Sequence, residues 1–141
     1  MKTILAMQYL NLQDKGYHIC VNCIINGYKD LTVLIDTGAS NSVFDINHKA
    51  FLSIEKESLP ADNISSGFSA SIDNISVGII DLIEFDDYKT SIEPALFTSL
   101  EHVNSVYAEL KIEPLAGIIG CDFLKKNKAI INLKKGQLQL G

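Results

Sequence analysis

An aspartate at the end of an apolar run, followed by threonine and glycine (Asp36-Thr37-Gly38), is the residue group in this sequence best equipped for chemistry. A carboxylate in that place is costly unless it is hydrogen-bonded, paired or functional. Gly38 lets the backbone turn tightly and lets a second chain come close, while Thr37 adds a hydroxyl. A carboxylate fixed on such a turn with one face open is a candidate for proton transfer. The same three residues also read as a plain β-turn in which Asp36 bonds its own backbone. Cys20-Val21-Asn22-Cys23 has the spacing of a redox or zinc pair. Inside a strand, however, positions three apart face opposite sides, which favours two buried structural cysteines. Cys121 reads as a buried residue or as a thiol beside the turn. His18, His48 and His102 are scattered with no metal-ligand spacing, and no G-x-S-x-G elbow supports a serine nucleophile.

The elements that must hold Asp36 are mostly strands. Residues 18–25 are rich in Ile, Val and Cys, and Asn26-Gly27 after them is a strong hairpin signal. Residues 31–35 hardly alternate, which predicts a strand buried on both faces and running straight into Asp36. Val43-Phe44 resumes an extended pattern, and residues 61–74 are polar, Gly/Ser-rich and loop-like. Between Ile75 and Phe85 the apolar phase slips by one residue, from Ile75, Val77 and Ile79 to Ile80 and Leu82, which predicts a bulge or a strand that changes its partner. The best helix covers residues 99–110, with Leu100, Val103, Tyr107 and Leu110 on one face and Thr98-x-x-Glu101 as a capping box. A second short helix is predicted over residues 122–127. Strands over 129–133 and 137–140 follow, separated by a turn at Lys135-Gly136, and residues 3–10 are expected as the other terminal strand.

Residues 33–44, Val33-Leu34-Ile35-Asp36-Thr37-Gly38-Ala39-Ser40-Asn41-Ser42-Val43-Phe44, resemble the active-site segment of the retropepsins, the single-lobe aspartic proteases that include the retroviral enzymes. Near the C-terminus, Ile118-Ile119-Gly120-Cys121-Asp122-Phe123-Leu124 and then Ala129-Ile130-Ile131-Asn132-Leu133 are similar to that family's hydrophobic pair with glycine, short helix and last strand. Ala39-Ser40 and the long middle look more like bacterial members. The resemblance implies an all-β, closed retropepsin-like barrel with one or two short helices, forming a single domain over residues 1–141. It makes residues 99–110 an insertion relative to the smallest viral members.

The resemblance also implies a reaction. Two carboxyl groups around one water hydrolyse peptide bonds of an extended polypeptide, with no metal or organic cofactor. A chain of 141 residues with one Asp-Thr-Gly carries half of that centre, so the site implies a homodimer in which Asp36 of two copies face each other. By the same resemblance Asp36 activates the water and protonates the leaving amine, and Thr37 hydrogen-bonds across the axis. Gly38 lies against the substrate backbone, and Ala39 and Gly120 support the turn. Asp122 anchors the short helix. Ser40, Ile118 and Phe68 contact substrate, with Val43 a further apolar wall. Residues 65–71 are the expected flap. Ser40 and Asn41 stand where many viral relatives have acids, so viral-type substrate contacts are not implied.

Composition agrees with a folded polypeptide-binding domain. The chain is 47% hydrophobic and 21% charged with a net charge of −5, which excludes a disordered tail and disfavours a nucleic-acid surface. No apolar run approaches the ~20 residues that a membrane span needs. Polar Gln8 and Asn11 cut the N-terminal apolar stretch too early for a signal peptide, and the odd cysteine count fits a reducing compartment, so a cytoplasmic protein is expected. The function expected is that of an aspartic endopeptidase. The alternatives are a catalytically silent peptide-binding or dimerisation module of the same fold, and a redox or metal protein using Cys20 and Cys23.

Overall fold

A computed structural model describes residues 2–59 and 74–141. Eleven strands and two α-helices occupy them: β1 (Thr3–Ala6), β2 (Gln8–Asn11), β3 (Tyr17–Ile25), β4 (Tyr28–Ile35), β5 (Val43–Asp45), β6 (Glu57–Leu59), β7 (Ile75–Phe85), β8 (Tyr88–Thr98), α1 (Glu101–Glu109), β9 (Gly117–Ile119), α2 (Cys121–Lys126), β10 (Ile130–Asn132) and β11 (Gln137–Leu140). Six of the strands close a barrel in the order β3-β4-β9-β5-β8-β7. The ring is completed where Ile24 and Ile25 of β3 pair with Glu84 and Ile83 of β7. The all-β closed barrel expected from the sequence is therefore the observed architecture.

Local chemistry explains the elements that frame the site. Asn26 and Gly27 both take positive φ, 48° and 84°, so β3 and β4 meet through the two-residue turn that their twist favours. In β4, Leu31, Val33 and Ile35 point into the barrel, while Leu34 points outward into a second apolar cluster. This is why the run does not alternate. Parallel pairing of Val33, Leu34 and Ile35 with Gly117, Ile118 and Ile119 brings β9 beside β4, and β5 pairs with β9 on its far side. Gly117 is obligatory at this point, because a Cβ there would lie 2.4 Å from the Phe44 ring.

Three expectations need correction. Thr98 is still part of β8, and Glu101 N–H donates to Ser99 Oγ at 3.2 Å, so the Thr98–Glu101 capping box does not form. The terminal residues 3–10 are not one strand. They break at Met7, whose N–H donates to Gly136 O at 2.8 Å, and β1 and β2 join different sheets. The phase slip in β7 is the irregularity the sequence predicts: two register shifts flank Ile80, and the strand pairs with β6 through Ile75–Val77 and with β3 through Ile83 and Glu84. The first shift lies opposite Glu93-Pro94 and the second opposite Ser91 of β8, a strand that its proline and polar residues conceal in the sequence. Cys121 is exposed and not buried.

β11 lies between β1 and β10 in a separate three-stranded sheet. Its inner face sends Leu5, Leu138 and Leu140 into the core, and its outer face leaves Ile4 55% and Ile130 54% exposed. The expected loop over residues 61–74, and the flap with Phe68, lie almost wholly outside the described residues. Among the described residues no helix is long and apolar enough to cross a membrane.

Candidate active site

β4 ends where its last inward residue, Ile35, meets the loop that carries Asp36. The Asp36 N–H donates to Ile119 O at 2.9 Å, so the parallel β4–β9 ladder runs one residue past the strand and fixes the backbone of the acid. The chain then turns sharply. Ala39 N–H donates to Asp36 O at 3.1 Å, and Gly38 N–H donates to the Asp36 carboxylate Oδ1 at 2.9 Å. One carboxylate oxygen is thus held by the turn. The side chain is half-buried, and Thr37 and Gly38 are exposed. A Cβ on Gly38 would sit 3.2 Å from Asp36 Oδ1, so glycine keeps this approach free. The turn reading and the reacting-group reading of Asp-Thr-Gly describe the same geometry, since Asp36 bonds its own loop through Oδ1 while Oδ2 accepts from no group among the described residues.

The second motif braces the first. Gly120 follows β9 directly, and a Cβ there would meet Ala39 O at 2.7 Å and the Asn41 backbone at 2.9 Å. Its N–H donates to Ser42 Oγ at 2.9 Å. The Ser42 hydroxyl in turn donates to Asp122 Oδ1 at 2.7 Å, and Ser42 N–H donates to both carboxylate oxygens at 2.9 and 3.0 Å. Asp122 also accepts from Phe123 N–H at 2.7 Å, which ties the first turn of α2 to the loop after Asp36. Cys121 N–H donates to Ala39 O at 2.8 Å, and its thiol donates to Thr37 O at 3.1 Å. Asp36, Thr37, Gly38, Ala39, Ser40 and Gly120 therefore lie together in one rigid corner, with Ser40 O accepting from Asp122 N–H at 3.3 Å. Ser42 was not singled out by sequence reasoning, whereas the Cys121 thiol lies beside the turn as one of its two sequence readings had it.

Ile118 is brought to the same corner but is only 4% exposed. It packs outside the barrel wall with Leu34, Val43 and Leu96. Pairing puts these four in one row across β4, β9, β5 and β8, because Leu34 is opposite Ile118, Ile118 opposite Val43, and Val43 opposite Leu96. As candidate substrate walls, Ile118 and Val43 are thus covered within this chain and not open to solvent. Phe68 lies outside the described residues.

Three groups on β3 are shifted by burial. Desolvation lowers the His18 imidazole below its ordinary value, and the nearby Asp36 charge partly opposes this. Burial pushes the Cys20 thiol up to about 11 and Cys23 up to about 12. All three cysteines are free, and Cys20 and Cys23 point into different apolar clusters on opposite faces of β3. They do not form a zinc or redox pair. Among the described residues no three His, Cys, Asp or Glu side chains converge on a point where an ion could bind.

No protein-family model matches the sequence, and no curated protein matches it. Solved structures do. The chain is similar to a retropepsin-like aspartic protease from Rickettsia conorii, with 16% identity and a TM-score of 0.55, over 99% of this chain and 90% of that one. It is also similar to the retroviral protease-like domain of Ddi1 from Leishmania major, with 18% identity and a TM-score of 0.51, over 86% of each chain. The fold is the retropepsin-like one.

Proposed function

We propose that this retropepsin-folded chain is an aspartic endopeptidase that cuts extended polypeptides once two copies pool their Asp36 carboxyls around a water. The observation that carries the reading is the Asp36 corner, a single carboxylate fixed by Gly38 N–H and the β9 ladder, whose other oxygen accepts from no group among the described residues. Two such groups about 3 Å apart cannot both ionise, so one stays protonated while the other takes a proton from water. The attacked carbonyl becomes tetrahedral, the protonated acid delivers a proton to the leaving nitrogen, and the pair titrates as a unit.

In this reading Thr37, exposed beside the acid, joins the two turns across the axis. Gly38 and Ser40 meet the substrate main chain, and Phe68 belongs to a flap over it. Ala39 and Gly120 keep the corner rigid. The outer face of the β1-β11-β10 sheet, with Ile4 and Ile130 uncovered, offers apolar surface for the second copy. Free thiols suit a reducing cytoplasm.

The test is cleavage of an unfolded protein substrate by wild-type chain and by Asp36→Asn, whose amide oxygen can still accept from Gly38. Turnover by the wild type, its block by a statine-type transition-state mimic and its loss in the variant are expected. Cleavage that survives Asp36→Asn would sink the assignment. Tight peptide association without turnover at any pH would favour the silent binding module of the same fold.

A further inference from the structure

We propose that Tyr107 of α1 is a specificity-determining residue of the Asp36 site, its ring filling the apolar row beside the carboxylate and limiting the substrate residues next to the scissile bond to small side chains. This rests on the reading of Asp36 as the reacting acid. The row formed by Leu34, Ile118, Val43 and Leu96 starts next to Ile35-Asp36 and runs along the outside of the barrel wall. A peptide reaching Asp36 would lay its side chains against such a row. In this chain the row packs in one cluster with Leu100 and Tyr107, and the Tyr107 ring is 1% exposed.

The geometry marks α1 as a wall and not a lid. Asn104 clamps the helix to the chain leading into β9. Its Oδ1 accepts from Leu115 N–H at 2.7 Å, and its Nδ2 donates to Leu115 O at 3.2 Å. The Tyr107 hydroxyl is hydrogen-bonded to His18 Nδ1 at 2.6 Å, which pins the ring to β3 on the side where the Asp36 charge is felt. Val103 and Leu110 add apolar contact from the same helix face. An aromatic ring held at its base by packing and at its tip by a short hydrogen bond leaves no room for a second large side chain.

The experiment is cleavage-site profiling with a peptide library, using the full chain as wild type, Tyr107→Phe, Tyr107→Leu and Tyr107→Ala. Wild type and Tyr107→Phe, which keeps the ring, should both prefer Gly, Ala or Ser beside the cut bond. Tyr107→Leu and Tyr107→Ala should gain at least about tenfold in kcat/KM for peptides with Phe or Leu there, relative to their Ala counterparts. A purely structural role would lower all substrates alike, and unchanged preferences overturn the proposal. So does a wild-type preference for Phe or Leu at these positions, a result that needs no variant to fold. The same peptides are titrated against Asp36→Asn with and without Tyr107→Leu. Binding preferences that move with residue 107 where wild type shows no turnover would remove the protease reading and keep the wall. Cleavage that depends on Asp36 but ignores residue 107 removes the wall alone, and absence of any peptide binding overturns it too.

Discussion

Ser42 is the hinge of the corner at the residue scale, because its single hydroxyl donates to Asp122 and accepts from Gly120 N–H. Asp122→Ala leaves the buried Ser42 hydroxyl and N–H without their acceptor, and should cost about 1–3 kcal/mol of stability. Denaturant unfolding measures this, and Asp122→Asn should recover part of the loss. The cysteines give a second test. Cys121 is exposed, whereas burial raises Cys20 to about 11 and Cys23 to about 12. Native protein treated with a thiol reagent at pH 8 should therefore gain one label, at Cys121, and all three only after unfolding. Mass measurement of the labelled peptides checks it. Of these residues, Asp36 and the two glycines were legible from type and spacing. The Ser42 bonds, and which of its two readings Cys121 takes, were not, because side-chain direction at a loop–helix junction depends on the partner element, which local sequence does not reveal.

Among the elements, the meeting of the β9–α2 junction with the Asp36 loop is the tightest. In Gly120→Ala the added methyl presses on Ala39 and Asn41 backbone, neither of which can give way as a flexible side chain would. The expected loss is about 1–3 kcal/mol, with the Asp36 turn displaced and activity reduced further than stability alone explains. Thermal melting and kcat/KM on the same preparation separate the two effects. The short 3-10 turn at Lys49–Phe51 carries a pH dependence. His48 Nδ1 accepts from Ala50 N–H at 3.0 Å, so the turn needs an unprotonated nitrogen. Burial lowers this imidazole below its ordinary 6.5, the Asp45 charge opposing and Lys49 assisting. The unfolded chain thus takes up protons before the native one does. Stability is full above pH 6.5 and declines as pH falls from there through the native value. His48→Asn, which keeps an acceptor, should flatten the fall in melting temperature between pH 7.5 and 5. Strands with apolar runs, and both helices, were readable to within a residue or two. β8 was not, because Pro94 and alternating polar residues disguise a strand whose pairing is irregular there. The Thr98 cap failed because α1 starts at Glu101 with Leu100 as its N-cap, two residues later than the capping box requires.

For the molecule as a whole, one acid per chain makes the proposed activity a property of concentration. Specific activity should rise steeply with protein concentration and fall on dilution, and Ile130→Lys on the outer face of the β1-β11-β10 sheet should shift that rise to higher concentration without changing the melting of the single chain. Sedimentation alongside activity checks both. The barrel and the order of the two motifs were legible because buried strands ending in glycine turns leave a strong pattern. The separate terminal sheet and the wall made by α1 were not, since each depends on which distant surface a short segment covers. The terminal sheet also sets a timetable for synthesis. Thr3 pairs with Leu140 and Ala6 with Gln137, so β1 leaves the ribosome long before its neighbour β11 does. Until then Leu5 and Met7 have no wall to lean on, and a nascent chain must carry them uncovered. Folding of this ribbon therefore waits until residue 140 has left the ribosome.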